Sequence, residues 1–121
     1  MAPRTKLAQL IARMEGFGLP SAIPTVRHNP GDLRHSPHSS HQGIGPNDIG
    51  IIDTDKHGWE DLERQLQLYA DRGMTVREMV SAYAPPVENV TENYLEYICH
   101  LLPCEPLASV RSVLVIPAEG D

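Results

Sequence analysis

The sequence predicts an α+β domain, mainly helical, with one small β-hairpin region. Three observations carry this. Apolar residues recur at helical spacing in four separate segments. Between the first two of them, 26–55 is rich in glycine, proline, serine, histidine and asparagine and has no helical period. The 121 residues, 40% of them hydrophobic, suffice for one compact core and no more, so 1–121 reads as a single domain.

The first helix follows from Leu7, Leu10, Ile11 and Met14, which share one face at i, i+3, i+4, i+7. Thr5 is its expected N-cap. Gly16 and Gly18 break it, and Pro20 and Pro24 are expected to keep the chain from resuming a helix. Within 26–55, two stretches fit short strands, 32–35 and 49–52. The polar connection 36–48 between them carries Gly43, Gly45 and Pro46, which suit turns.

A second helix, capped by Thr54 or Asp55, presents Trp59, Leu62, Leu66 and Tyr69 and stops at Gly73. Thr75 and Glu78 form a capping box that opens a third helix through Val76, Met79, Val80 and Tyr83. Pro85 and Pro86 end it. Asn89 or Thr91 is the expected cap of a fourth, with Tyr94, Tyr97, Ile98 and Leu101 inside and Pro103 at its close. The apolar tail, 107–116, fits a strand or one or two helical turns. Helices flanking a short hairpin region make an α+β order with little sheet.

Composition narrows the function. A net charge of −6 argues against a basic nucleic-acid surface, and it sits awkwardly with docking on an anionic cell wall. No apolar run is long enough to span a membrane. No uninterrupted apolar stretch follows Arg4 and Lys6, so no secretory signal peptide is expected. Delivery to a target outside the cytoplasm then falls to a phage particle, a holin or a dedicated route. Cys99 and Cys104 match neither a disulfide framework nor a zinc motif and read as reduced structural thiols.

His35, His38 and His41 recur every three residues, with His28 and His57 nearby. Imidazoles suit zinc, copper or nickel. This spacing aligns them only on a helix, however, and the segment is not helical. They are expected to be solvated loop residues, with no metal and no cofactor.

Glu15 is the principal candidate for chemistry. It falls in the last turn of the first helix, at the edge of the apolar stripe and near the negative end of the helix dipole. Partial burial beside Phe17 would disfavour its ionised form as well. A carboxyl protonated near neutral pH can give a proton to a leaving glycosidic oxygen. Position alone also fits a solvated glutamate at a helix end. Asn29, Pro30, Gly31 and Asp32 alone fit an ordinary turn, and 83–94 alone fits a rigid link between helices.

Taken together and in order, four motifs are more specific. They are IARMEGF at 11–17, NPGDLR at 29–34, Gly58-Trp59 with Leu62, Gln65, Leu66 and Tyr69, and YAPP at 83–86 with Asn89, Thr91, Glu92 and Tyr94. The set resembles phage and bacterial lysozyme-like proteins, similar to lytic transglycosylases and to some phage virion structural proteins. The resemblance covers about 7–102 and leaves 103–121 as a tail. His28 departs from it, standing where such sequences carry an asparagine run before Pro-Gly, and Asp32 stands where they often carry asparagine.

The resemblance implies a lysozyme-like fold and cleavage of peptidoglycan glycan strands, with Glu15 as the general acid. Asn29, Arg34, Tyr83, Asp32 and Tyr94 are the expected substrate-binding or supporting residues. A lytic transglycosylase needs one carboxyl, whereas a hydrolase needs a second, for which Asp32, Asp48 and Asp53 are candidates and Thr54 a water-positioning residue. The action would be at the cell wall or in the periplasm. The competing class is a non-catalytic structural or glycan-binding protein on a lysozyme fold, for example in a phage virion among other virion proteins.

Overall fold

A computed structural model describes residues 4–44, 48–83 and 88–120. Among them are six helices: α1 (Lys6–Glu15), α2 (Ile23–Val26), α3 (Asp55–Asp71), α4 (Val76–Tyr83), α5 (Glu88–Leu101) and α6 (Val110–Val113). Strands β1 (Ser39–His41) and β2 (Ile51–Ile52) pair antiparallel, with an irregularity between Ser39 and His41. The α+β class holds. No helix among the described residues is long and apolar enough to cross a membrane.

The helix starts follow local chemistry. The Thr5 side chain accepts from Ala8 N–H, and Gly16 ends α1 in the left-handed region at φ 90°. Glu63 of α3, nearly buried, adds a cap that sequence reading missed. Its carboxylate accepts from the Arg4 and Thr5 amides and from Thr5 Oγ1, at 2.9–3.1 Å. An anion there complements the free amides and the positive end of the α1 dipole. Thr54 caps α3, and the Thr75–Glu78 box forms in both directions at the head of α4.

The core gathers Leu7, Leu10 and Ile11 of α1, Leu62 and Leu66 of α3, Val76, Met79 and Val80 of α4, and Ile98 of α5. Fully burying each such side chain contributes about 1.5–3 kcal/mol. α3 packs against α1, α6 and β2, while α5 packs against α1 and α4. Met14, expected on the inner face, is 37% exposed. It lies outside the core cluster, in the turn where Glu15 begins the polar site.

Four expectations change. Pro24 does not prevent a helix: it sits in the first turn of α2, where its missing N–H is tolerated. The segment 32–35 is a turn rather than a strand, and the first strand lies at 39–41. Buried Asn29 captures Leu33 N–H and bonds the Leu33 carbonyl, groups that a ladder would otherwise use. The second strand narrows to Ile51–Ile52. Asn89 and Thr91 lie inside α5 rather than capping it, because the helix begins at Glu88. The turn residues Gly45 and Pro46, and the Pro85–Pro86 link, lie outside the described residues.

The tail resolves into one helical turn. Ser109 caps α6, Val110 and Val113 are buried, and bridges join Thr75 to Ser109 and Thr5 to Pro117. The tail therefore completes the core. Cys99 and Cys104 are free thiols with their sulfurs 3.8 Å apart. Burial, then the bond to Cys99, pushes the Cys104 thiol up to about 12.

His28, His35, His38, His41 and His57 stay partly or fully open to solvent, and each is also paired. His28 meets Asp55 at 2.6 Å, His38 meets Asp61 at 2.6 Å, His41 meets Asp48 at 2.9 Å, His57 meets Asp53 at 2.7 Å, and His35 meets Gln42 at 3.0 Å. These pairs fasten a loop region that has only two short strands of its own.

Candidate active site

Glu15 is the last residue of α1, half-buried where the helix stops. The 28–33 segment is brought to it by close packing on α3. A Cβ on Gly58 would run into the His28 carbonyl, and one on Gly31 would meet Leu62 Cδ1 at 2.8 Å. Only glycine at both positions lets the segment lie this close. Asn29 then shapes the turn. It is fully buried, its Nδ2 donates to the Leu33 and Gly50 carbonyls at 2.8 and 3.0 Å, and its Oδ1 accepts from Leu33 N–H at 3.0 Å.

At the tip of that turn Asp32 is left-handed, with φ 53°, a conformation that Asp and Asn tolerate better than most residues. The turn aims its carboxyl at Glu15, and the two side chains hydrogen-bond. From the opposite side, α5 supplies Tyr94, 5% exposed, whose hydroxyl donates to Glu15 Oε2 at 3.0 Å. The Tyr83 hydroxyl, at the end of α4, is buried and has no hydrogen-bond partner among the described residues. It lies within the electrostatic reach of both carboxyls. Tyr69 of α3 packs edge-on against the Tyr83 ring, at 6.3 Å and 87°.

These surroundings set the protonation. Burial, followed by the charge of Asp32, pushes Glu15 up to about 7, against the lowering effect of the Tyr94 hydrogen bond. Burial also raises Asp32, but its bond with Glu15 pulls it back down. The two carboxyls share one proton as pH approaches neutrality, and the larger upward push falls on Glu15. The Tyr83 and Tyr94 hydroxyls are pushed far above their ordinary value, by burial first, and stay neutral donors. The cluster is therefore a protonated glutamic acid against an aspartate, walled by two tyrosines.

Of the six predicted site residues, four converge: Glu15, Asp32, Tyr83 and Tyr94. Asn29 lies behind them with its whole amide committed to backbone, so it shapes the site without facing a ligand. Arg34 is exposed beside Gly43 and makes no bond to the cluster among the described residues. Of the three candidate second carboxylates, only Asp32 reaches Glu15. Asp48 is held by Arg27 and His41, and Asp53 by His57. Thr54 is occupied capping α3.

Sequence reading missed Tyr69, which it had assigned to packing, and the Phe17–Trp59 contact at 5.2 Å and 74°. This half-exposed aromatic pair begins two residues beyond Glu15. Three surface concavities of 390–540 Å³ among the described residues lie elsewhere, around Arg4, Glu63 and Leu114 or around Arg77, Glu92 and Pro106.

A scan of protein-family models, a search of curated proteins and a search of solved structures return no match to this chain.

Proposed function

We propose that this chain is a lysozyme-like module that cleaves the glycan strand of peptidoglycan, with Glu15 as the general acid. One observation carries the reading. A carboxyl raised to about 7 is held by Tyr94 and Asp32 at the end of a buried helix. An acid of that strength is about half protonated at neutral pH, far more than an ordinary glutamate, and still gives up its proton readily, a balance that general acid catalysis favours. The residues around it are those of the four ordered motifs.

The geometry favours a lytic transglycosylase over a hydrolase. Inverting enzymes keep their carboxyls roughly 6.5–9.5 Å apart to admit water, and retaining enzymes about 5–5.5 Å apart to admit the sugar carbon. Here Asp32 acts directly on the Glu15 carboxyl, the relation of a close pair rather than of two groups facing each other across a water or a sugar carbon. Glu15 would protonate the leaving oxygen as the glycosidic bond breaks. Its carboxylate would then take the proton of the sugar's own hydroxyl as that oxygen bonds to the anomeric carbon, which restores the acid and leaves an anhydro end. Before the reaction, Asp32 raises Glu15 and so favours its protonated form. Tyr83, whose buried hydroxyl has no partner among the described residues, would support the carboxyl pair from behind.

The test is muropeptide release from purified peptidoglycan. Wild type should release fragments with anhydro ends, and Glu15→Gln should not. Fragments with reducing ends instead would move the assignment to a hydrolase. The net charge of −6 is also compatible with the non-catalytic alternative. No release from wild type, with retained binding to sacculi, would establish that alternative and retire the enzyme.

A further inference from the structure

We propose that His38, His57 and Glu60 form a site for a divalent transition metal of the zinc class. His57 and Glu60 stand three apart on the first turns of α3, which places them on one face. His38 approaches from the loop before β1. One ligand atom from each of the three lies within 4.8 Å of the others. Two imidazoles and a carboxylate, open to solvent, suit Zn²⁺ with a fourth position left for water.

The surroundings of the two rings separate this cluster from a chance meeting of surface groups. His38 Nδ1 is bonded to Asp61 Oδ1 at 2.6 Å, while its own amide donates to Asp61 Oδ2 at 3.0 Å. The Asp61 side chain is 1% exposed. A carboxylate is costly to bury, and both its oxygens are engaged by this single residue. His57 Nδ1 is bonded to Asp53 at 2.7 Å. Each ring therefore has its Nδ1 held by a carboxylate, and each Nε2 has no partner among the described residues. Metal-ligating histidines carry this outer carboxylate, which fixes the ring and strengthens its free nitrogen as a ligand. A mere staple between loop and helix would need only the Asp61 bond; it would not need a second oriented ring and Glu60 beside it.

The two rings stack at 4.0 Å and 7°. A metal must lie in the plane of each ring at about 2.0–2.1 Å, so binding splays them about their Nδ1 bonds. It also draws Glu60 away from Lys56, whose Nζ is 4.0 Å from its carboxylate. The bound ion would tie the 35–44 loop to α3.

The experiment uses untagged full-length protein, stripped with chelator and titrated with Co²⁺ by visible absorption and with Zn²⁺ by calorimetry. One ion per chain is expected, with the intense absorption of low-coordinate Co²⁺ and a raised thermal midpoint in Zn²⁺. Glu60→Gln and His57→Ala, both at exposed or half-exposed helix positions where the fold tolerates them, should each weaken binding at least tenfold. Asp53→Asn should weaken it about 10- to 100-fold. No stoichiometric binding by wild type overturns the site. Binding unchanged in both Glu60→Gln and His57→Ala also overturns it, by assigning the ion to the other histidines.

Discussion

The Glu15 cluster and the histidine-laced loop use the same residue types to opposite ends. At Glu15, two carboxyls meet each other and two neutral tyrosines, largely out of water, and both are pushed toward the protonated form. In the loop, Asp48 and Asp53 meet histidines and an arginine in the open, and both are held below the usual carboxylate range. The first arrangement stores a proton for delivery. The second keeps carboxylates charged, so they can hold a loop region with little sheet of its own. The sign of the environment, rather than the residue, separates an acid from an anchor.

The largest effect should come from removing the stored proton. Glu15→Gln should lower muropeptide release by roughly 10²- to 10⁴-fold, the usual worth of a general acid. It should also stabilise the protein above neutrality. The folded value of about 7 lies above the ordinary 4.5, so the stability Glu15 allows is complete below 4.5 and lost as pH rises through 7. The glutamine variant should match wild type at pH 4 and exceed it by about 2 kcal/mol at pH 8, after discounting for partial exposure. Chemical denaturation at both pH values checks this. Loss of activity with no gain at pH 8 would mean that Glu15 is not held protonated.

Next comes the joint between the two regions. Asn29 ties the Asp32 turn to Gly50, at the edge of β2. Asn29→Ala strands Leu33 N–H and weakens two carbonyl bonds, and should cost about 3 kcal/mol in urea unfolding. A cost within ~0.5 kcal/mol would show that the turn stands without it.

The sequence showed part of this in advance. Helical periodicity and capping chemistry are local, so α1, α3 and α4 were legible from Leu7–Ile11, Thr54 and the Thr75–Glu78 box. The turn at 32–35 was not, because the buried amide of Asn29, four residues before Leu33, redirects the backbone. Glu15 was placed at its helix end, but the main cause of its shift, burial together with Asp32, is tertiary. So are the Glu63 cap and the histidine partners. His38 and Asp61 stand 23 residues apart, and no spacing rule joins them.

Two single-atom changes should move the Glu15 pH profile in opposite directions. Asp32→Asn keeps a residue suited to φ 53° and removes the charge that raises Glu15, so the alkaline fall in activity should shift to lower pH. Tyr94→Phe removes the bond that lowers Glu15, so the same fall should shift to higher pH. A purely structural role for either residue would reduce activity at all pH values alike. Shifts of the same sign would break the account of the dyad.

The smallest effect lies in the loop. Asp48 receives Arg27 Nη1 and His41 Nε2 at 2.9 Å and Ile44 N–H at 3.1 Å. The His41 bond, the Ile44 amide and Arg27 hold it below its ordinary value. Its contribution is therefore present above about pH 3.9, the usual aspartate value, and lost as pH falls through its lower folded value. Asp48→Asn should destabilise slightly at pH 6, less in high salt because the group is exposed, and not at all in strong acid. The two regions then carry opposite slopes: the Glu15→Gln difference opens as pH rises from 4.5 to 7, and the Asp48→Asn difference closes as pH falls below 4. If Asp48→Asn instead gained stability relative to wild type as pH rose, as Glu15→Gln should, the loop carboxylates would be buried partners of the same kind as Glu15, and the contrast between acid and anchor would fail.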